Sequence, residues 1–328
     1  LIKFIIEYKN LKNSIFLLVL LMFSQTAFPQ NWPSKPITLV VSYPPGGSAD
    51  TMARSLSGPL GKALGTTIIV ENKPGASGQI AAAHVAKSVG DGYTLMLDAS
   101  SFAVNPGLFK KLSYDSTKDF KVLGLLALFP NFLLSNPNFP AKTVKELVAM
   151  AKNKPDEIAY ATSGNGSAQH MAGAMFEIKA DIKMQGIPYK GGALAVNDVM
   201  AGQVPIMFGT IASTKSYVDA KKLNALAVTS KKRVSVMPEV PTMAEAGVPA
   251  YEVYEWNAIF APVSTPDAIT KKISEAIAIA MQSGEMKDRV ASLGGEVYQG
   301  SITEANQYIQ QQMQEWAKII REKNISPN

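Results

Sequence analysis

The sequence predicts an α/β fold in which two doubly wound domains surround a central cleft. Three observations carry this prediction. Short apolar runs alternate with segments of helical spacing: Ile37-Thr-Leu-Val-Val41 is followed by Ala53, Leu56, Leu60 and Leu64. Several of these runs end in turns rich in glycine and hydroxyl residues, a pattern that suits ligand binding at strand C-termini. Two long extended stretches, 122–135 and 251–261, bracket a self-contained α/β unit. The first domain is therefore expected to be interrupted, with residues 31–131 plus 256–328 in one lobe and 132–255 in the other.

Taken in order, the chain opens on a basic stretch from Lys3 to Lys12, an apolar run from Ser14 to Phe23, and a small or polar exit, Ser24-Gln-Thr-Ala27. Ten apolar residues are too few to span a bilayer, which needs about 20. The pattern predicts a secretory signal over 1–30, cut between Ala27 and Gln30, and hence an exported, periplasmic protein. Trp32 to Pro36 leads into the first strand. A break is expected near Ser57 in the helix that follows, because Pro59 lies inside it. Thr67–Val70 and Tyr93–Leu97 predict the next strands, with an alanine-rich helix over 78–87 between them.

The apolar stretch 122–135 contains Pro130, which predicts two short strands joined near Asn131 rather than one. Thr143-Val-Lys-Glu146, Thr242-Met-Ala-Glu245 and Ser301-Ile-Thr-Glu304 have the form of capping boxes. Strands are predicted near 158–161, 184–187, 205–208 and 225–228. A helix is expected to begin at Thr265-Pro266 with proline in its first position, and the last helix to run to about Lys323.

Composition narrows the function. The chain of 328 residues has 47% hydrophobic and 18% charged residues, enough for a sizeable core. Its net charge is +6; the first thirty residues hold three of the lysines and one glutamate, so the remainder carries +4. The arginines are only Arg54, Arg233, Arg289 and Arg321, and no basic cluster interleaves with aromatics, so nucleic acid is not an expected partner. There is no cysteine, which excludes a lipidated N-terminal cysteine, thiolate catalysis and zinc–thiolate sites.

The chemistry lies in the turns. Tyr43-Pro-Pro-Gly-Gly-Ser-Ala-Asp50 joins a strand to a helix, with Ser48 as the expected N-cap and Asp50 in the first turn. Glycines allow close approach of a ligand, and the free N–H groups of a first helical turn suit an anion. The same stretch also reads as a plain connection. Recurrence favours the ligand: Thr162-Ser-Gly-Asn-Gly-Ser-Ala168, Pro188-Tyr-Lys-Gly-Gly192 and Asp98-Ala-Ser-Ser101 repeat the arrangement. Arg54 is expected to pair with Asp50 at i, i+4. Lys190 is the one cation in any of these turns.

Together with Val70-Glu-Asn-Lys-Pro-Gly-Ala76, Asp91-Gly-Tyr-Thr-Leu95, Leu226-Ala-Val-Thr-Ser230 and Pro238-Glu-Val-Pro-Thr-Met-Ala-Glu-Ala-Gly247, these stretches form an ordered series. It resembles the extracytoplasmic solute-binding proteins of tripartite tricarboxylate transporters, the Bug family, from Trp32 to near the end of the chain. The resemblance implies a two-lobed periplasmic-binding-protein fold of type II-like design, closing on a small carboxylate. It implies capture of a small organic acid and its delivery to integral-membrane permease subunits, by a monomer without cofactor or metal. The ligand would meet Pro45, Gly46, Gly47, Ser48, Ala49 and Asp50 from one lobe, and Ser163, Asn165, Gly166, Ser167 and Ala168 from the other. Tyr43, Ser100, Lys190 and Thr210 complete the expected ligand-binding set. Many members carry Asp-Asn where this chain has Gly209-Thr210, so the distal pocket is expected to differ.

Two other function classes compete with this one. An enzyme is disfavoured: His84 and His170 lack metal spacing, no Gly-x-Ser-x-Gly elbow or P-loop is present, and Gln169 stands where a dinucleotide fingerprint needs a small residue. A sensor lobe presenting its ligand to a membrane kinase differs from a transport receptor only in its docking partner.

Overall fold

A computed structural model describes residues 32–327; the expected export signal over 1–30 lies outside the described residues. Three strand–helix units open the fold. β1 (Ile37–Val41) leads to α1 (Ser48–Leu64). β2 (Ile68–Asn72) leads through a 3-10 turn, Ala76–Gly78, to α2 (Gln79–Ala86). β3 (Thr94–Ala99) leads to α3 (Ser101–Leu108). β1 pairs in parallel with β2 on one side and β3 on the other, the arrangement that helical crossovers impose.

β4 (Phe120–Ser135) then carries the chain into a second set. Here α4 (Val144–Asn153) precedes β5 (Ala159–Thr162), and α5 (Ala168–Ala180) separates it from β6 (Gln185–Pro188). α6 (Gly192–Met200), β7 (Ile206–Thr210), α7 (Ile211–Asp219) and β8 (Asn224–Val228) follow. β5 pairs in parallel with both β6 and β7. The chain returns along β9 (Tyr254–Pro262) and closes with α8 (Asp267–Met281), α9 (Gly284–Ser292), β10 (Glu296–Val297) and α10 (Ile302–Glu322).

β4 links the two sets. Its residues from Phe120 to Pro130 pair antiparallel with β9, and those from Asn131 to Ser135 pair with β7 and β8. The described strands thus form one mixed sheet in the order β2-β1-β3-β9-β4-β7-β5-β6, with β8 and β10 also on β4. The fold is the expected two-lobed α/β design, two doubly wound halves joined by antiparallel crossing strands.

Four expectations need correction. The stretch around Pro130 is one continuous strand, not two. Pro130 faces Tyr254 in the last pair with β9, and Asn131 opens the pairing with β7, so the missing N–H falls at a change of partner rather than inside a ladder. α1 continues through Pro59 without the expected break. Met52, Leu56, Leu60 and Leu64 are buried on both sides of the proline. Burying each contributes about 1.5–3 kcal/mol, which together outweighs a proline cost of roughly 3 kcal/mol.

The reciprocal bonds of Thr242 and Glu245 do form, at 2.8 and 3.1 Å, but they close a turn and no helix follows. Gly247 at φ +99° and Pro249 end it at once. Pro266 is the N-cap of α8, and the helix begins one residue later, at Asp267. The other two capping boxes stand as expected, at Thr143–Glu146 and Ser301–Glu304.

The core continues across the halves. Phe102 of α3 lies tilted against Phe260 of β9 with ring centres 4.3 Å apart and meets Phe120 of β4 edge-on at 5.3 Å. Trp256 on β9 is fully buried in the same apolar cluster as Phe176 and Phe208 from the second set. α10 packs along α3, and its end is tied to α5 by Lys323 Nζ to Glu177 Oε1 at 2.9 Å. Among the described residues no helix is long and apolar enough to cross a membrane.

Candidate functional site

A cleft of about 840 Å³ lies where the C-terminal ends of β1, β3, β5 and β7 face one another. Five helices begin at its wall: α1 after Gly47, α3 after Ser100, α5 after Ser167, α6 after Gly191 and α7 after Thr210. Each first turn leaves N–H groups without helical acceptors and carries the positive end of a helix dipole. No lysine, arginine or histidine lines the cleft among the described residues. The positive ends that face it therefore belong to backbone rather than to side chains.

The first loop is braced from inside. Asp50 is 3% exposed; its Oδ2 accepts the Gly46 N–H at 2.8 Å, and its Oδ1 accepts Asn72 Nδ2 at 2.9 Å. Arg54 completes the brace at 2.9 Å, the i, i+4 pair expected. Burial alone would raise the Asp50 pKa, but the bonds from Arg54, Gly46 and Asn72 outweigh it and hold the carboxyl below its usual range. Asp50 thus shapes the loop and is not part of the cleft wall. The N-cap of α1 is Gly47, at φ −76° and ψ 172°, rather than Ser48. Ser48 is the first helical residue and lines the cleft.

The second loop is braced by neutral groups. The Ser167 hydroxyl accepts the His170 N–H at 3.2 Å, and His170 Nδ1 accepts the Gly166 N–H at 3.2 Å. Burial pushes the His170 pKa down to about 4, so the ring is a neutral acceptor. Gly166 sits at φ +72°, and a side chain there would collide with Leu108 of α3, so the loop needs glycine to approach the first half. Gln169 is the hub behind it. Its amide oxygen accepts the Ser163 hydroxyl at 2.5 Å, and its amide nitrogen donates to Asn131 at 2.8 Å and, at a longer 3.4 Å, to Glu255.

The cleft brings together Tyr43, Gly46, Gly47, Ser48, Ser100, Ser163, Asn165, Gly166, Ser167, Ala168 and Thr210 of the expected set. Pro45, Ala49, Asp50 and Lys190 are not in its wall. Lys190 is exposed beside the α6 turn. At the distal end Gly209 and Thr210 line the wall, and the Thr210 hydroxyl bonds Ser213 at 2.6 Å.

Sequence reasoning left Ser77, Ser101, Gln169 and Glu255 out of the ligand-binding set, yet all four line the cleft. Ser101 Oγ lies 2.5 Å from the Tyr43 hydroxyl. Ser77 belongs to a run with positive φ from Gly75 to Gly78. Non-glycine residues in that region cost on the order of 1–3 kcal/mol each. Asn105 holds this run in place by donating to the Ser77 carbonyl at 2.9 Å. A signal was present: Lys73-Pro-Gly-Ala-Ser-Gly78 is too glycine-rich for a plain turn.

One more acid stands just behind the wall. Asp98, at the end of β3, is fully buried; its Oδ1 accepts the Ala99 N–H at 2.8 Å, and its Oδ2 has no partner among the described residues. Burial raises its pKa to about 8, against the smaller opposing effects of Ala99 and Ser42. Burial also raises the Glu255 pKa, with the Gln169 bond opposing.

Comparison with known proteins agrees with this architecture. The family model described as the tripartite tricarboxylate transporter family receptor matches residues 52–325. Protein BugT of Bordetella pertussis is 33% identical over 293 residues, covering 89% of this chain and 90% of BugT. A protein of R. palustris solved with adipate superimposes with a TM-score of 0.80 at 30% identity, covering 91% of this chain and all of that one. MatC from Rhodopseudomonas palustris, solved with bound malate, gives 0.76 at 30% identity, covering 88% of this chain and all of MatC. The chain therefore belongs to the tripartite tricarboxylate transporter receptor family, the family of the Bug proteins.

Proposed function

We propose that this protein is an extracytoplasmic receptor that captures one small organic acid between its lobes and releases it unchanged to a membrane permease. The observation that carries the reading is the meeting of five helix N-termini at one cleft whose wall holds no basic side chain among the described residues. Backbone and hydroxyl donors grip a carboxylate without burying a lysine or arginine. Of the residues in the wall, Ser48 offers an N–H without a helical acceptor from α1, and Ala168 and Gln169 offer them from α5. A charge-assisted hydrogen bond contributes roughly 1.5–3 kcal/mol, and micromolar affinity needs about 8 kcal/mol net. One loop falls short of that after ordering costs; two facing loops reach it.

The lobes in this reading are those expected from the sequence, residues 31–131 plus 256–328 and residues 132–255, with β4 and β9 as the crossings. The adipate and malate held by the two R. palustris relatives support a small carboxylate as the ligand class. The periplasmic setting of the family supports export and a soluble receptor. The ring of His170 is engaged inside the second loop and stays neutral above about pH 4, which suits a scaffold and not an acid–base catalyst.

The test is calorimetric titration of the purified protein with a panel of mono-, di- and tricarboxylates, with the recovered ligand checked by NMR. One-to-one binding of an acid recovered intact is expected. Conversion of the acid, or no binding across the panel, contradicts the reading.

A further inference from the structure

In the receptor reading two lobes part to admit an acid and close over it, and the inference that follows rests on that reading. α3 and α10 then belong to the first lobe, α5 and the second glycine loop to the second. Away from the cleft wall, the end of α10 ties the two together. Lys323, the C-cap of α10, reaches Glu177 of α5, Nζ to Oε1 at 2.9 Å. Glu177 is buried and anchored within the second lobe: Oε1 also accepts the Met184 N–H at 3.0 Å, and Oε2 accepts the Tyr160 hydroxyl at 3.4 Å. Its ion-pair partner thus comes from the opposite lobe.

The turn after α10 adds a second tie. Asn324 takes a left-handed φ of +51°, and the Ile325 N–H donates back to the Ile320 carbonyl at 2.9 Å, so the helix ends in a Schellman-type turn. Ile325 packs against the apolar core. The Ser326 carbonyl accepts Asn165 Nδ2, from the second glycine loop, at 3.2 Å. The same loop lies against α3, where a Cβ on Gly166 would come within 2.6 Å of Leu108. Lys323, Ser326 and Glu177 all stand outside the cleft wall. We propose that residues 323–326 form an interlobe clasp, which holds the lobes shut over the bound acid and sets its residence time from outside the cleft. With the lobes closed, Glu177 without Lys323 is a buried, uncompensated charge, and parting the lobes hydrates it. The pair therefore favours the closed form, and its loss favours the open one.

The test is Lys323→Met, which keeps the apolar stem and removes the charge, titrated by calorimetry with malate, succinate, adipate and citrate beside the wild-type protein. For the acid that the wild type binds most tightly, the variant's affinity is expected to fall roughly tenfold, through faster dissociation in stopped-flow fluorescence. Lys323→Arg, which restores the charge, should recover most of the loss. Should Lys323→Met fail to fold, Glu177→Gln takes its place: it removes the other charge and keeps an oxygen acceptor for the Met184 N–H. A pair that only stabilises the fold would lower the thermal midpoint of the unliganded variant and leave affinity and dissociation rate unaltered. That result would overturn the clasp and leave the receptor reading standing. A wild-type protein that binds none of the four acids would sink both.

Discussion

The two glycine loops of the cleft share an order of elements and differ in what holds them. Residues 43–50 and 162–168 each leave a parallel strand, pass through glycines and enter a helix. The first is braced by an ionised carboxylate, Asp50, with Arg54 as its counterion. The second is braced by an uncharged serine, an uncharged imidazole and an amide. The contrast shows that one strand–glycine–helix loop geometry can be braced with or without an internal charge. It also assigns the loops different weaknesses: the first depends on a group that must stay ionised, the second on a group that must stay neutral.

The largest effect expected from breaking this pair is that of Gly47→Asp. Gly47 has an ordinary φ, and a Cβ there would meet only the Pro44 carbonyl at 3.5 Å, so the loop accepts a side chain. Aspartate is also a good N-cap. Its carboxylate would nonetheless stand where the ligand's is expected, and at about 4 Å and an effective dielectric near 20 the repulsion is about 4 kcal/mol. Affinity should fall roughly a thousandfold, with the thermal midpoint of the unliganded protein unchanged or raised. Calorimetry and a melting curve on the same sample check both halves.

A smaller effect is expected at the brace itself. Asp50→Asn removes a charge-assisted acceptor from Gly46 and leaves Arg54 without its counterion in the loop, at a cost of about 1–3 kcal/mol in stability at neutral pH. The folded pKa of Asp50 is depressed, so its contribution is present above the unfolded value and fades as the pH falls through the folded one. The gap between wild type and variant should narrow on acidification below about pH 4. A gap independent of pH would show that the carboxylate's charge is not what braces the loop.

The smallest effect at neutral pH, one that grows only on acidification, separates the second loop from the first. His170 has a depressed pKa, so the unfolded chain binds a proton that the folded one refuses between about pH 6.5 and about 4. Stability therefore falls as the pH is lowered through that window, before Asp50 begins to protonate. His170→Asn removes the titrating group and keeps an acceptor, its amide oxygen, for the Gly166 N–H. The variant should flatten the stability profile over that window while leaving the slope below pH 4. Chemical denaturation at a series of pH values measures it.

The parts legible in the sequence were those written in local pattern. The glycines of both loops, the Asp50–Arg54 spacing and the capping boxes at Thr143 and Ser301 act within a few residues of themselves, and each stands in the fold. Pro59 and Pro130 misled because their local cost is overruled by burial across α1 and by a change of strand partner. Glu255 was invisible for another reason. It sits in no glycine motif, and only the pairing of β9 with β3 and β4 brings it to the cleft. Ser101 stood in a turn that pattern could find, but its meeting with Tyr43 spans 58 residues of chain. Gln169 was visible as a departure from a dinucleotide motif, but its links to Asn131 and Glu255 span 38 and 86 residues.

The central claim is that both loops grip one small acid, and native mass spectrometry of the protein as purified tests it most directly. The wild-type protein is expected to retain one small organic acid per chain, released on mild activation, and Gly47→Asp prepared in parallel is expected to carry none. Equal retention by both proteins would contradict the claim, as would a wild-type protein that neither retains an acid nor takes one up when acids are added.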